Sequence, residues 1–321
     1  MARRSRRRRW IILPILILLL GAALWALFRP PAATIGQWRS AEGQEVYRAA
    51  YAAAMEALPE PAEVRDLRSP WGLVRLYRFA GAGGGEALLL LPGTASGTPV
   101  WADNLPGLLE IADVYTLDLL GEPGLSIQER PITSAADKAA WLDAVLAALP
   151  EAQVHVVGLS IGGWTAANLA IHRPDHVASV TLIDPVFVFD SIPLGTMIRA
   201  GAATLPWAPE AWRDSFNAYT AGGAEVEDVP VADMIAAGMA HYAMRQPPPA
   251  RIDAAALSAA PVQILAILAG QSVMHRPEEA RAAAEALADA VRVYPEASHA
   301  INGEHPAEIA ADIAAFLASL D

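Results

Sequence analysis

The chain has 321 residues, 54% of them hydrophobic and 18% charged, and no cysteine. That suits one α/β domain with a substantial core, and it excludes a disordered chain, disulfides, thiolate metal sites and a cysteine nucleophile. Seven of the 23 basic residues fall within residues 1–30, which hold no acid, leaving 16 bases against 35 acids in the rest; a body so acidic repels phosphate backbones, so no nucleic-acid partner is expected.

The first element is WIILPILILLLGAALWALF, residues 10–28, in which no charge interrupts 19 residues. As a helix it spans about 28 Å, close to the hydrocarbon thickness of a bilayer. Pro14 falls in the first turns, where its missing N–H costs least, and Trp10 and Trp25 sit towards the two interfaces. Arg3, Arg4 and Arg6 to Arg9 stay on the cytoplasmic side by the positive-inside rule. The expectation is therefore a basic cytoplasmic segment (1–9), one transmembrane helix (10–28) with the membrane as partner, a linker with an N-terminal helix (29–63), and an extracytoplasmic domain (64–321). A signal peptide cleaved to release a secreted domain stays open, although no clean A-x-A site follows the apolar run.

Beyond Pro30 and Pro31, a helix is predicted over Glu45–Leu58. Leu73–Phe79 alternates like a half-buried strand, and Ala87–Leu91 is purely apolar, as a strand buried on both faces requires. Further strands are predicted at Val114–Asp118, Gln153–Gly158, Val177–Asp184, Val262–Leu268 and Val291–Tyr294. Helices are predicted between and after them at Ser134–Leu149, Ile161–His172, Pro277–Leu287 and Pro306–Leu320. The alternation implies an α/β fold, with a mostly parallel sheet and helices on both faces. Between Asp184 and Val262 lie about two helices' worth of residues and no strand; Phe187, Phe189, Trp207, Trp212, Phe216, Met234, Met239 and Met244 fall there. This reads as a helical insertion at about 186–255 with its own small core, and as a lid over an apolar pocket.

The segment VVGLSIGGW (156–164) runs an apolar strand straight into G-x-S-x-G and then a helix. That context suits a nucleophile elbow: a strained turn presents Ser160 at the sheet edge, with a helix N-terminus behind it to favour a developing oxyanion. No H-x-H or H-E-x-x-H spacing suggests a metal, and no cofactor is implied.

Together with LLLLPGTASGTPVW (88–101), DLLGEPGLS (118–126), HRPDHVASVTLID (172–184) and ASHAINGEHP (297–306), the elbow makes the chain resemble the α/β-hydrolase superfamily, within its lidded serine esterase-like members, over residues 64–320. The resemblance implies Ser160 as nucleophile, His299 as general base, and the backbone N–H groups of Thr94 and Ile161 as the oxyanion hole. Pro92 stands where the family usually has histidine. His155, His172, His176, His241, His275 and His305 read as background, with His275 on the surface or in the lid. The family's usual acid position, after Val262–Leu268, reads LAGQSVMHRPEEA, which puts Ser272 in the acid's place. Asp184, at the end of the neighbouring strand, is the favoured substitute. An Asp capping the turn with Pro185, an acid from Glu278 or Glu279, and a Ser–His dyad are the alternatives. The expected function is hydrolysis of a small or medium apolar carboxylic ester through an acyl-enzyme. Thioesterase, amidase, C–C hydrolase and acyltransferase chemistry share this machinery, and a catalytically impaired, membrane-tethered binding protein is the reading from another class. The sequence points to no protein partner.

Overall fold

The computed structural model describes residues 34–320, apart from 83, 85, 206 and 225–228. The expected transmembrane helix and its basic flank lie outside the described residues. Among those residues, no helix is long and apolar enough to cross a membrane.

The chain runs β1 (Gln37–Trp38), α1 (Ala41–Met55), β2 (Glu63–Ser69), β3 (Gly72–Phe79), β4 (Leu88–Leu91), α2 (Leu105–Leu109), β5 (Val114–Leu117), β6 (Ile127–Gln128), α3 (Ala135–Leu146), β7 (Val154–Leu159), α4 (Ile161–His172) and β8 (Val177–Ile183). Three helices follow, α5 (Leu194–Ala203), α6 (Glu210–Thr220) and α7 (Pro230–His241). Then come β9 (Tyr242–Ala243), α8 (Ala254–Ser258), β10 (Gln263–Ala269), α9 (Pro277–Leu287), β11 (Ala290–Tyr294), α10 (Ile301–Glu304) and α11 (Pro306–Leu317).

The main sheet has the order β11-β10-β8-β7-β4-β5-β3-β2, with β6 pairing β3. It is parallel from β11 to β5, and β3 and β2 continue it antiparallel. All four residues of β4 and of β5 are buried, as expected where helices cover both faces. One apolar core lies on each face. Trp141 of α3 and Trp164 and Leu169 of α4 belong to one, and Trp101, Ile309, Ile313 and Phe316 to the other.

Three local features depart from expectation. Strand β2 (EVRDLRS) was not anticipated, because only Leu67 and Ser69 of its seven residues are buried. It is an exposed edge carrying charges, and Arg75 of β3 pairs with its Asp66 at 2.7 Å. Helix α1 begins at Ala41, where the Ser40 hydroxyl caps it by accepting the Gly43 N–H at 3.0 Å. The insertion after β8 contains three helices, so the residues expected to make two are used more densely.

Helix α1 is also more than a connector. Its Tyr47, Tyr51 and Ala54 share a small buried cluster with Met234 and Ala237 of α7. Gly43 lets the two helices close up, because a Cβ there would lie 2.6 Å from the His241 ring. The segment before the main sheet thus buttresses the insertion from outside. Tyr51 ties it to the sheet as well, donating its hydroxyl to Asp118 at 3.1 Å.

Candidate active site

Strand β7 delivers Ser160 at its C-terminal end. Ser160 adopts φ 55° and ψ −112°, a conformation side chains with a Cβ rarely hold. Three bonds fix it: its N–H donates to Ile183 O at 2.9 Å, and its carbonyl accepts from Trp164 N at 3.1 Å and Val186 N at 3.3 Å. The glycines on either side make the turn possible. A Cβ on Gly158 would sit 2.3 Å from Gly162 O, and one on Gly162 would sit 2.1 Å from Leu91 O. The G-x-S-x-G spacing therefore follows from backbone packing around the serine.

His299 lies in the loop after β11 and its Nε2 is 2.9 Å from Ser160 Oγ. Its Nδ1 is 2.5 Å from Asp184 Oδ2. Its backbone N–H donates to Thr220 O, the last residue of α6, at 3.1 Å. The loop carrying this imidazole is thus bonded to the insertion that roofs the site.

Asp184 follows β8 with φ 40° and is fully buried. Burial alone would push its pKa up, but hydrogen bonds from His275 and His299 overcome that and hold the carboxyl well below the usual range. It is therefore an anion, so the imidazole of His299 presents Nδ1–H to it. The other ring nitrogen keeps a lone pair for the Ser160 hydroxyl proton.

The structure thus brings Ser160, His299 and Asp184 into one hydrogen-bonded chain. Ser272 stands at the end of β10, at the position expected of the acid, and donates its hydroxyl to Asp184 Oδ2 at 2.6 Å. It is a donor to the Asp184 carboxylate. Glu278 and Glu279 are exposed in the first turn of α9 and do not reach the site. The expectation for His275 is corrected: it is 3% exposed, and its Nε2 lies 2.7 Å from Asp184 Oδ1. Sequence reading missed it because M-H-R-P before a helix looks like a surface turn. The available signal was a histidine three residues after Ser272, in the loop between β10 and α9.

Thr94, Ile161, Ser160 and His299 all line one cavity of about 1320 Å³. Neither the Thr94 nor the Ile161 N–H is bonded to another described group. The next donor, Ala95 N–H, is already taken by Glu122 Oε2 at 3.0 Å. Two free N–H groups beside a serine hydroxyl, one at a helix N-terminus, suit an oxyanion. Asp118 is structural: fully buried, it accepts the N–H groups of Thr98 at 2.9 Å and Leu125 at 2.7 Å and so knits two loops together.

The insertion supplies apolar walls to this cavity through Met197, Phe216, Ile235 and Met239. Trp207 and Trp212, expected over the pocket, are 69% and 45% exposed and pack on each other at 6.0 Å instead. The polar exceptions include Glu122 and Lys138, the latter lying 5.0 Å from the Trp164 ring centre. Among the described residues no group of three or more His, Asp or Glu side chains could hold a metal ion.

The family described as "alpha/beta hydrolase fold" matches residues 86–223. The crystal structure of carboxylesterase CesB (YbfK) from Bacillus subtilis superposes with TM-score 0.77 at 20% identity, covering 86% of this chain and 98% of that one. The chain has the α/β-hydrolase fold. A membrane phospholipase A described as a bacterial virulence factor shares the fold at TM-score 0.68 and 17% identity, covering 98% of this chain and 99% of that one. Over 171 residues this chain is 31% identical to the dihydrolipoyllysine-residue acetyltransferase component of the acetoin cleaving system of Cupriavidus necator, covering 52% of this chain and 46% of that one. It is 24% identical over 155 residues to carboxylesterase YbfK of Bacillus subtilis, covering 48% of this chain and 52% of that one. The chain thus spans about half the length of these curated relatives.

Proposed function

We propose that this chain is a serine hydrolase acting on carboxylic esters of small or medium apolar acids, through an acyl-enzyme. What supports the reading is the bonded series Ser160 Oγ, His299 and Asp184, at 2.9 and 2.5 Å, opening into a largely apolar cavity. Ser160 attacks the ester carbonyl while His299 Nε2 takes its proton. The carbonyl oxygen becomes an oxyanion held by the N–H groups of Thr94 and Ile161. Collapse expels the alcohol, which receives the proton from His299. A water activated by the same imidazole then releases the acid and frees Ser160. Asp184 stays ionised throughout and stabilises the imidazolium. No cofactor enters these steps. The carboxylesterase among the curated relatives is consistent with this substrate class.

The test is hydrolysis of p-nitrophenyl esters of increasing acyl length by wild type and Ser160→Ala, beside labelling by a fluorophosphonate probe. Turnover and labelling lost together in Ser160→Ala support the reading. A wild type inert to every ester and to the probe overturns it, in favour of a binding role. The arginine-rich start and the uncharged run 10–28 support a domain tethered to a bilayer at its N-terminus. Mass spectrometry of the mature chain tests this, since loss of residues 1–28 means a released domain.

A further inference from the structure

Asp184 carries an unusual load for a buried carboxylate. Oδ1 faces Ala269 N–H at 3.0 Å and His275 Nε2 at 2.7 Å. Oδ2 faces the Ser272 hydroxyl at 2.6 Å and His299 Nδ1 at 2.5 Å. Two imidazoles therefore share one anion, one on each oxygen. Only His299 reaches the nucleophile, and the proposed mechanism leaves the second histidine without a task.

His275 is nearly as buried as the Asp184 it touches. Its Nδ1 is enclosed and has no hydrogen-bond partner, so Asp184 is the group that orients the ring. An ionised carboxylate cannot donate, so the nitrogen facing it carries the proton. The charged groups facing His275 are the carboxylates of Asp184 after β8 and of Asp190 in the following loop. Arg276 is itself bound to Asp190, with Nη2 to Oδ1 at 2.7 Å. These surroundings favour a protonated ring over the burial that opposes it, and the balance lies above the ordinary histidine value.

We propose that His275 is a positioning residue for catalysis: through its Nε2–H bond to Oδ1 it keeps Asp184 aimed at His299 and shares the carboxylate's charge with it. The inference rests on the esterase reading for its kinetic consequences, but its geometry can be tested without turnover. The loop after β10, where relatives of this fold usually carry the acid, here contributes two donors, Ser272 and His275, to an acid on the neighbouring strand. Because both imidazoles draw on one carboxylate, removing His275 leaves more of its charge for His299. The His299 imidazolium is then held more strongly. The acid limb of the kcat/KM profile, which requires neutral His299, moves to higher pH.

The experiment compares wild type, His275→Gln and His275→Leu in the full-length chain. Glutamine can put an amide N–H where Nε2–H was, and leucine cannot. His275→Leu is expected to lower kcat by about 10- to 100-fold with KM changed less than about twofold, and to raise the acid limb; His275→Gln is expected to recover most of both. A leucine variant with wild-type kcat and an unmoved acid limb overturns the proposal, as does a glutamine variant as impaired as leucine. Should the leucine variant fail to fold, 15N-histidine NMR of the wild type decides. Two imidazole protons strongly shifted downfield, from His299 Nδ1 and His275 Nε2, both lost in Asp184→Asn, support the assignment. An unprotonated His275 Nε2 refutes it. An inert wild type that still shows both protons would overturn the esterase reading and leave the geometry standing.

Discussion

Replacing Asp184 by asparagine tests the chain from acid to nucleophile most sharply, and the structure sets how the new amide must lie. Four donors point at the carboxylate, and asparagine offers only one acceptor oxygen. The Ala269 N–H at 3.0 Å is fixed backbone and cannot turn away, whereas the Ser272 hydroxyl can rotate and accept. The amide oxygen therefore takes the Oδ1 site, and its NH2 group replaces Oδ2, opposite His299 Nδ1. His299 must then accept there and carry its proton on Nε2, towards Ser160, where a base needs a lone pair. The loss of charge adds to this. The expected fall in kcat is about 10³ to 10⁴, equivalent to about 4–5.5 kcal/mol of barrier. Stopped-flow hydrolysis of a p-nitrophenyl ester gives kcat, and the fluorophosphonate labelling rate gives nucleophile activation independently of product release. Ser272→Ala serves as control and should lose less than about tenfold, because three donors remain. If Asp184→Asn keeps kcat within tenfold of wild type, the tautomer argument is wrong and the acid does not act through His299.

The remaining expectations follow from packing and charge. Gly162→Ala puts a Cβ 2.1 Å from Leu91 O, so β4 and the elbow must separate. Urea unfolding should show a loss of about 3 kcal/mol or more, with labelling of Ser160 abolished. Met234→Ala empties the fully buried centre of the cluster joining α1 to α7, costing about 2–4 kcal/mol. Hydrogen exchange should show α1 and α7 losing protection while β7 and β8 keep theirs. Asp184 has a folded pKa below its unfolded one, so its contribution to stability is present above the unfolded carboxylate value, about 3.9, and is lost as pH falls below it towards the folded value. Between pH 5 and pH 3 the wild-type unfolding midpoint should therefore drop more than that of Asp184→Asn. Equal drops would mean that Asp184 is not held ionised by its partners.

Much of this architecture was legible because the physics is local. Apolar runs such as Leu88–Leu91 have one home in a doubly covered sheet, and Gly158 and Gly162 declare a turn that tolerates no Cβ. Asp184 could be reached by elimination at the sheet edge. What escaped is non-local or low in contrast. Strand β2 exposes most of its charges, so its pairing with β3 leaves little periodic trace. The docking of α1 on α7 depends on residues nearly 190 positions apart along the chain. His275 is a polar residue on a turn by composition, and only the fold buries it against Asp184.

The place of Asp184 at the end of β8 has a consequence for tolerance to change. Ser160 and Asp184, the nucleophile and acid of the proposed mechanism, stand at the ends of adjacent, directly bonded strands, and the Ser160 N–H to Ile183 O bond spans the gap one residue before Asp184. Their spacing is a property of the sheet lattice, so insertions in the connections above it can vary without disturbing it. Only His299 must be registered by a loop. Substitution is thus best absorbed in the exposed parts of the insertion, and worst at the ends of β7 and β8 and at Ser272 and His275, whose donors hold Asp184.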